Sequence, residues 1–410
     1  MEPVPVVGWG FFPLDEQLAL NPGSLTPTQE EALAHLATWM PFARAGQMLH
    51  ELTGVFVSEA TVRRHTEQIG QCSEEVQNAQ SQGTTPQTSG SEQMVMSADG
   101  AFVPLVGGIW AEVRTMAVGE VKQDGEQTRT TQISYFSRMT DATTFAELVE
   151  GEMERRRVPQ AKQVAAVMDG APWLQEVVDL HRPDAVRILD FAHAAQRISA
   201  ILETVQQTGH TLPVDALSRC LHLLKHAGPG PVLRWLRFLT HSVLDVGKIR
   251  EDLAYLHKRE AFMHYPRYTD AGWPIGSGMV ESANKLVMQA RLKGAGMHWE
   301  ASHVNPMLSL RNAVCNDRWT PVWEQSSAAL LDRRRNARLS QVQERQQKAT
   351  QRFILAWMRF LLPRSVHRPP CPQPLLPPEP ARMVAGRPTA HHPWRQPWAS
   401  RSSMVESTKN

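Results

Sequence analysis

Cysteine is scarce and scattered: four in 410 residues, Cys72, Cys220, Cys315 and Cys371, with no CxxC pair. Such spacing argues against a zinc site and against a disulfide framework, and it fits a reducing cytoplasm. Long apolar runs are missing too, since no window approaches the roughly 18 residues that a spanning helix needs. The opening MEPVPVVGWGFFPLDEQ carries an early acid and no basic-then-apolar pattern, so no signal peptide is expected. There is no strong charge of either sign: 43 basic and 41 acidic residues leave a net +2, which by itself suggests no nucleic-acid partner. One local absence stands out. Acids nearly vanish after Glu344, while basic residues cluster between Arg333 and Arg368. That bias is a local hint of a polyanionic partner, set against the ordinary reading of a solvated surface. The expectation is a soluble, cytoplasmic protein without a membrane partner.

What is present has a clear order. Residues 26–80 carry helical apolar spacing, with Thr26 or Thr28 as a cap and Leu33, Leu36 and Met40 on one face. GVFVSEATVRRH then places a break at Gly54, a cap at Ser58, an inward Val62, and Arg63, Arg64 and His65 facing out. A helix, a glycine turn and a capped helix bearing arginines make a helix-turn-helix pattern, which a plain helical hairpin also produces. Residues 79–92 are polar and rich in Gly, Ser and Thr, as in a linker. MVMSADGAFVPLV, WAEVRTMAVGEV and TRTTQISYFSRM read as three strands, followed by a helix over about 142–157. AKQVAAVMDG is a strand too continuously apolar for an exposed edge. A helix over Trp173–Leu180, the strand AVRILDF and a helix over Ala192–Val205 complete the run. Three strands, helix, strand, helix, strand, helix is the element order of an RNase H-like α/β fold, although other α/β folds share it. Residues 208–265 read as helical. The stretch beyond about Trp323 is a charged helix, and from Pro363 a Pro-rich tail is expected to be largely disordered.

Two acids fall where such a fold would bring them together. Asp99 belongs to the first strand and Asp169 closes the fourth, each followed by glycine. Neighbouring first and fourth strands would set the two carboxylates side by side, where they repel unless a cation lies between them. Oxygen-only ligands suit Mg²⁺ or Mn²⁺. Glu281, in the first turn of a helix after Ser277 and Gly278, is the best third acid. Three carboxylates can seat two ions that serve an in-line phosphoryl displacement. Against this stands the plain reading of Asp-Gly as a turn and of Glu281 as an N-terminal helix charge.

The segments SADGAFVPL…WAEVRTMAVGEV, AAVMDGAPWL…ILDFAHAAQRI and YPRYTDAGWPIGSGMVESANKLVMQARLKGAGMHW resemble bacterial insertion-sequence transposases of the DDE class. The branch they are most similar to is related to Mutator-like transposases, in which a helical insertion separates the second Asp from the Glu. The stretch from LTPTQEEAL to VSEATVRRHTE and the terminal GRPTAHHPW are similar to the same group, so the likeness covers about residues 25–325 plus that motif. It implies a catalytic triad of Asp99, Asp169 and Glu281 holding two Mg²⁺ or Mn²⁺ ions. It also implies an RNase H-like mixed five-stranded sheet with a helical insertion, preceded by an all-helical N-terminal module. The division that follows is 1–78 (DNA-binding helices), 79–92 (linker), 93–207 (first part of the core), 208–265 (insertion), 266–325 (final core helix), 326–362 (basic helix) and 363–410 (tail).

The same resemblance implies metal-dependent cleavage and strand transfer at the ends of a mobile element. The expected partners are DNA, both terminal inverted repeats and target, and further copies of the chain on that DNA, in a bacterial, nucleoid-associated setting. A nuclease or resolvase without strand transfer, or an inactive DNA-binding derivative, are the alternatives. In DFAH, Asp190 and His193 are similar to a family pattern near the active site, while the plain reading of Asp190 is a helix cap. Arg291 and Lys293, about three turns along the Glu281 helix, are candidate phosphate contacts or a solvated face, and Trp299 is expected in the core.

Overall fold

The structure, a computed structural model, describes residues 25–79, 91–125, 127–241, 247–361, 383–384 and 387–388. Most of the expected linker, most of the Pro-rich tail and Cys371 lie outside the described residues. Residues 1–338 form one compact unit and 339–410 a second.

The first unit opens with α1 (Pro27–Trp39), α2 (Phe42–Thr53) and α3 (Glu59–Ala79). Thr26 and Gln29 form a reciprocal capping box on α1. Gly54 ends α2 at a φ of 74°, and the Ser58 hydroxyl accepts from Thr61 N at 3.3 Å at the start of α3. Val62 is buried and Arg63 and Arg64 are exposed, but His65 turns inward and meets Glu30 at 3.3 Å. These helices share a small core of Leu33, Ala37, Ala45, Leu49 and Val62. They do not stand apart as a separate module. The second half of α3 lies against α14 (Ala301–Cys315), where a Cβ on Gly70 would fall 2.7 Å from the Pro306 carbonyl oxygen. Ser309 Oγ donates to Gly70 O at 2.9 Å across that contact.

The central sheet contains β1 (Gln93–Pro104), β2 (Trp110–Asp124), β3 (Gln127–Arg138), β4 (Gln163–Met168) and β5 (Val186–Leu189), in the order β3-β2-β1-β4-β5. The first three pair antiparallel, and β4 joins β1 and β5 joins β4 in parallel. This is the RNase H-like arrangement, with β1 and β4 as neighbours. Both faces are covered, so the two-residue period of each strand feeds two cores. Met94, Met96, Ala166 and Met168 face α4 (Ala142–Leu148), α5 (Glu150–Arg155) and α6 (Pro172–His181). The expected single helix over 142–157 is therefore two short ones, meeting at Val149.

Val95, Ala165 and Val167 point to the other face, toward α7 (Phe191–Gln207) and the inserted helices α8 (Ala216–Ala227), α9 (Pro229–Thr240) and α10 (Gly247–Lys258). After a 3-10 turn at Glu260–Phe262 and α11 (Tyr265–Asp270), the chain returns to the sheet. The helix carrying Glu281 is not uniform. It runs as α12 (Gly278–Ala283), a π-helical stretch over Asn284–Gln289, and α13 (Ala290–Leu292).

The long α15 spans Trp319–Leu361, starting before the expected basic helix. Within the first unit, its Arg333 and Arg334 pair with Glu75 of α3 and Glu30 of α1, so part of the basic cluster is neutralised within the fold. In the second unit, Met383–Val384 and Arg387–Pro388 form a short antiparallel ladder, β6 and β7.

Candidate active site

Sheet register brings the acids together. Met96 is paired with Ala166, and three further residues along each parallel strand reach Asp99 and Asp169. Met168 is paired with Leu189, so one further residue reaches Asp169 and Asp190. Counted on past the last paired residues, the three aspartates share one rung of the register, Asp99 inside β1 and Asp169 and Asp190 just beyond the ends of β4 and β5. By the two-residue period, Asp99 and Asp169 project to the same face as Val95 and Val167.

The glycines after the aspartates differ in role. Asp99 is not at a turn, because β1 continues through Gly100 to Pro104. Gly100 is small because a Cβ there would lie 2.2 Å from Glu112 Oε1. Gly170 does turn the chain, at a φ of 81°, and its Cβ would fall 2.2 Å from Arg259 Nε. Gly170→Ala is therefore expected to cost about 2 kcal/mol or more, combining left-handed strain with displacement of Arg259. Gly100→Ala meets only the Glu112 side chain, whose ion pair with Arg114 it would disturb, and should cost less, about 1 kcal/mol. Urea unfolding of the two variants side by side checks the ranking.

Asp99 Oδ1 accepts from Gly100 N at 2.8 Å and Oδ2 accepts from Asn284 Nδ2 at 2.9 Å. Burial raises the Asp99 carboxyl above the ordinary carboxylate range and the Asp169 charge adds to the rise, while Gly100 N, His193 and Asn284 oppose it. Asp169 Oδ1 accepts from Ala171 N at 2.7 Å. Its Oδ2 has no hydrogen-bond partner among the described residues.

Glu281 stands one turn before Asn284, on the same helical face. Its helix rests on the face of the sheet that bears Asp99, through Val280, Ala283 and Ala117. The Glu281 side chain is exposed, with no ion pair or hydrogen bond among the described residues. No three carboxylate, imidazole or thiol groups among the described residues are gathered closely enough to hold a metal as they stand. The donors nonetheless suit a hard divalent cation. Two like charges sit side by side, one aspartate oxygen is unused, and an unpaired carboxylate lies one turn from the Asn284–Asp99 contact.

Asp190 is differently employed. Nearly fully buried at 1% exposure, it caps α7 by accepting from Ala192 N at 2.9 Å, and its other oxygen accepts from His193 Nδ1 at 3.0 Å and from Ser277 Oγ. Burial pushes this carboxyl up, but the hydrogen bonds outweigh it and hold the group below the ordinary range. Asp190 thus ties the start of α7 to the residue before α12, and the helix-cap reading holds. The Asp190 hydrogen bond keeps His193 above the usual imidazole range against its burial, helped by the charges of Asp190, Asp169 and Asp99. The acidic cluster beside His193 thus favours its protonated form.

Of the other sequence candidates, Lys293 is exposed, with its ammonium 5.4 Å from the Trp110 ring centre. Arg291 is not a surface group. It is 3% exposed, donates to Ala37 O at 2.8 Å, and lies between Phe42 and Trp299 with its guanidinium 4.8 and 5.2 Å from the ring centres. It joins the end of the Glu281 helix to α1 and α2, which removes it as a phosphate contact. Trp299 is buried as expected. Asn284, Ser277, Tyr255 and Arg259 were missed by sequence reasoning, although the three-residue spacing from Glu281 does mark Asn284.

No protein-family model matches the chain, and no curated protein is similar to it in sequence. Among solved structures, the chain is similar to a Drosophila P element transposase strand transfer complex at a TM-score of 0.27 and 12% identity, covering 76% of this chain and 83% of that one.

Proposed function

We propose that this chain is a DDE-class transposase that cuts DNA at the ends of a mobile element and joins the freed 3′-hydroxyl to target DNA. The observation that carries the reading is the shared rung of Asp99 and Asp169 on neighbouring strands, with the Glu281–Asn284 helix laid against the same face. Asp99, Asp169 and Glu281 would hold Mg²⁺ or Mn²⁺, which when bound supplies charge stabilisation to the attacking and leaving oxygens of a phosphoryl transfer. Asn284 orients Asp99, the Ala171 amide orients Asp169, and Asp190 fixes the start of α7 and hence His193. His193, whose protonated form these acids favour, is suited to a phosphate oxygen of the bound strand.

The decisive experiment is Mg²⁺-dependent cleavage and joining on DNA carrying the inverted repeats that flank the gene. Joined products support the transposase. Hydrolysis without joining would make the chain a nuclease on the same fold, and binding without cleavage an inactive derivative.

End binding is assigned to α3. Arg63 and Arg64 are exposed, and the Arg63 side chain, 61% exposed, has only Glu67, at 4.0 Å, as an ionic partner among the described residues. Arg63→Glu with Arg64→Glu should weaken end binding at low salt by about tenfold or more, and lower the slope of log affinity against log salt by about 2. Unchanged binding across a salt series would reduce α3 to a structural helix.

A further inference from the structure

The helical insertion does more than cover the sheet. Its last helix and the turn after it reach the backbone beside Asp169. Tyr255 Oη donates to the Asp169 carbonyl oxygen. Arg259 donates to the Gly170 carbonyl through Nε at 3.2 Å and Nη2 at 2.6 Å, and through Nη1 to Tyr255 O at 3.2 Å. The Arg259 guanidinium lies 3.8 Å from the Tyr255 ring centre, and that of Arg197 lies 4.6 Å from it. Arg197, one turn after His193 on α7, closes the assembly through Asp252 of α10 at 2.8 Å. Gly170 is buried and in the left-handed region, in space that a Cβ would contest with Arg259.

Two consecutive carbonyls at the end of β4 are thus held by side chains that lie more than 80 residues away in sequence. Backbone carbonyls at a strand end need donors, and here the insertion provides them in place of water. Fixing these carbonyls fixes the planes of the two peptides that follow Asp169, the second of which carries the Ala171 amide that orients the Asp169 carboxylate.

We infer that Tyr255 and Arg259 are positioning residues that clamp the Asp169–Gly170 turn, so that the insertion sets the geometry of the second acid. The role rests on the proposed reading of Asp169 as a metal-holding carboxylate. The clamp joins three elements: β4 with Asp169, α7 with His193, and α10 of the insertion. An insertion shifted against the sheet would release the Asp169 turn, so movement there is transmitted to the site.

The test uses the full-length protein without DNA, with Mn²⁺ alone as the probe, and two mild variants. Tyr255→Phe removes one hydroxyl and keeps the ring between the two arginines. Arg259→Lys keeps the charge but loses the paired donors on one carbonyl. Each variant is compared with wild type for Mn²⁺ affinity by titration calorimetry, hydrogen exchange of the Ala171 amide, and melting temperature. Both variants should bind Mn²⁺ about tenfold more weakly and exchange the Ala171 amide at least about tenfold faster, with exchange within Val164–Val167 unchanged. Wild-type affinity and exchange in both variants would overturn the clamp and leave the metal reading intact. Wild type that binds no Mn²⁺, with faster Ala171 exchange in the variants, would overturn the metal reading and the positioning role with it. A uniform rise in exchange along β4 would reduce both residues to general packing.

Discussion

Asp99→Asn should leave DNA binding within about twofold of wild type while strand cleavage and joining both fall by about a thousandfold or more. Binding would survive because the proposed phosphate contacts come mainly from basic groups outside the acidic cluster, such as Arg63 and Arg64. Chemistry is lost because the variant keeps the size of the side chain and removes the charge that would hold a cation. Glu281→Gln should separate binding from chemistry in the same way.

A second effect has the opposite sign and needs no DNA. Burial and the Asp169 charge raise the Asp99 carboxyl in the folded state, so the folded protein holds this proton more tightly than the unfolded chain. Stability then falls as pH rises from the ordinary carboxylate range through that raised value, and above it the full cost is present. In metal-free buffer at neutral pH, Asp99→Asn should raise the melting temperature, because it removes a charge that burial and Asp169 disfavour. The gain should fade as pH drops below the ordinary carboxylate range. Asn284 Oδ1 is buried without a partner among the described residues and lies on the amide that already meets Asp99, so an asparagine at position 99 finds an acceptor after one amide flip. Retained cleavage in this variant would overturn the proposed chemistry, and a lower melting temperature would overturn the electrostatic account.

The other large effect lies at Arg291. Arg291→Ala should lower stability by about 3 kcal/mol or more. The Ala37 carbonyl loses its donor, the Phe42 and Trp299 rings lose the cation between them, and a void remains. Arg291→Met should be milder. Burial, with the nearby Arg311 charge, already pulls the Arg291 guanidinium down to about 10, and an apolar side chain avoids that desolvation. Thermal unfolding orders the variants. Salt-dependent DNA binding of folded Arg291→Met should match wild type, whereas a reduced salt slope would restore Arg291 as a phosphate contact.

The sheet and the first two acids were legible in the sequence because the strands announce themselves as β-branched and apolar runs bounded by turns, continuously apolar where both faces are covered, as in β4. Asp99 and Asp169 then follow from strand order alone. Helix phase was less legible. A reading of Arg291 as exposed assumes an unbroken α-helix from Glu281. The π-helical stretch over Asn284–Gln289 turns less per residue and rotates everything beyond it by roughly a quarter turn. That rotation helps to bring Arg291 between Phe42 and Trp299. His65 was misjudged for a related reason, since its partner Glu30 sits on another helix and no local pattern reveals it. Tyr255 and Arg259 were invisible because their targets are backbone carbonyls, which leave no mark on sequence.

The common rung of Asp99, Asp169 and Asp190 also restricts where the chain tolerates insertion or deletion. Successive residues of a strand alternate faces, so a single residue gained or lost within Val164–Met168 would turn Asp169 toward the α4–α6 side and break its alignment with both neighbours. The same change in the loop before β4 leaves the rung untouched. Single-residue deletion scanning should therefore abolish activity throughout Val164–Met168, while deletions ahead of Gln163 keep the rung and cost only the local packing of Val158 and Ala161.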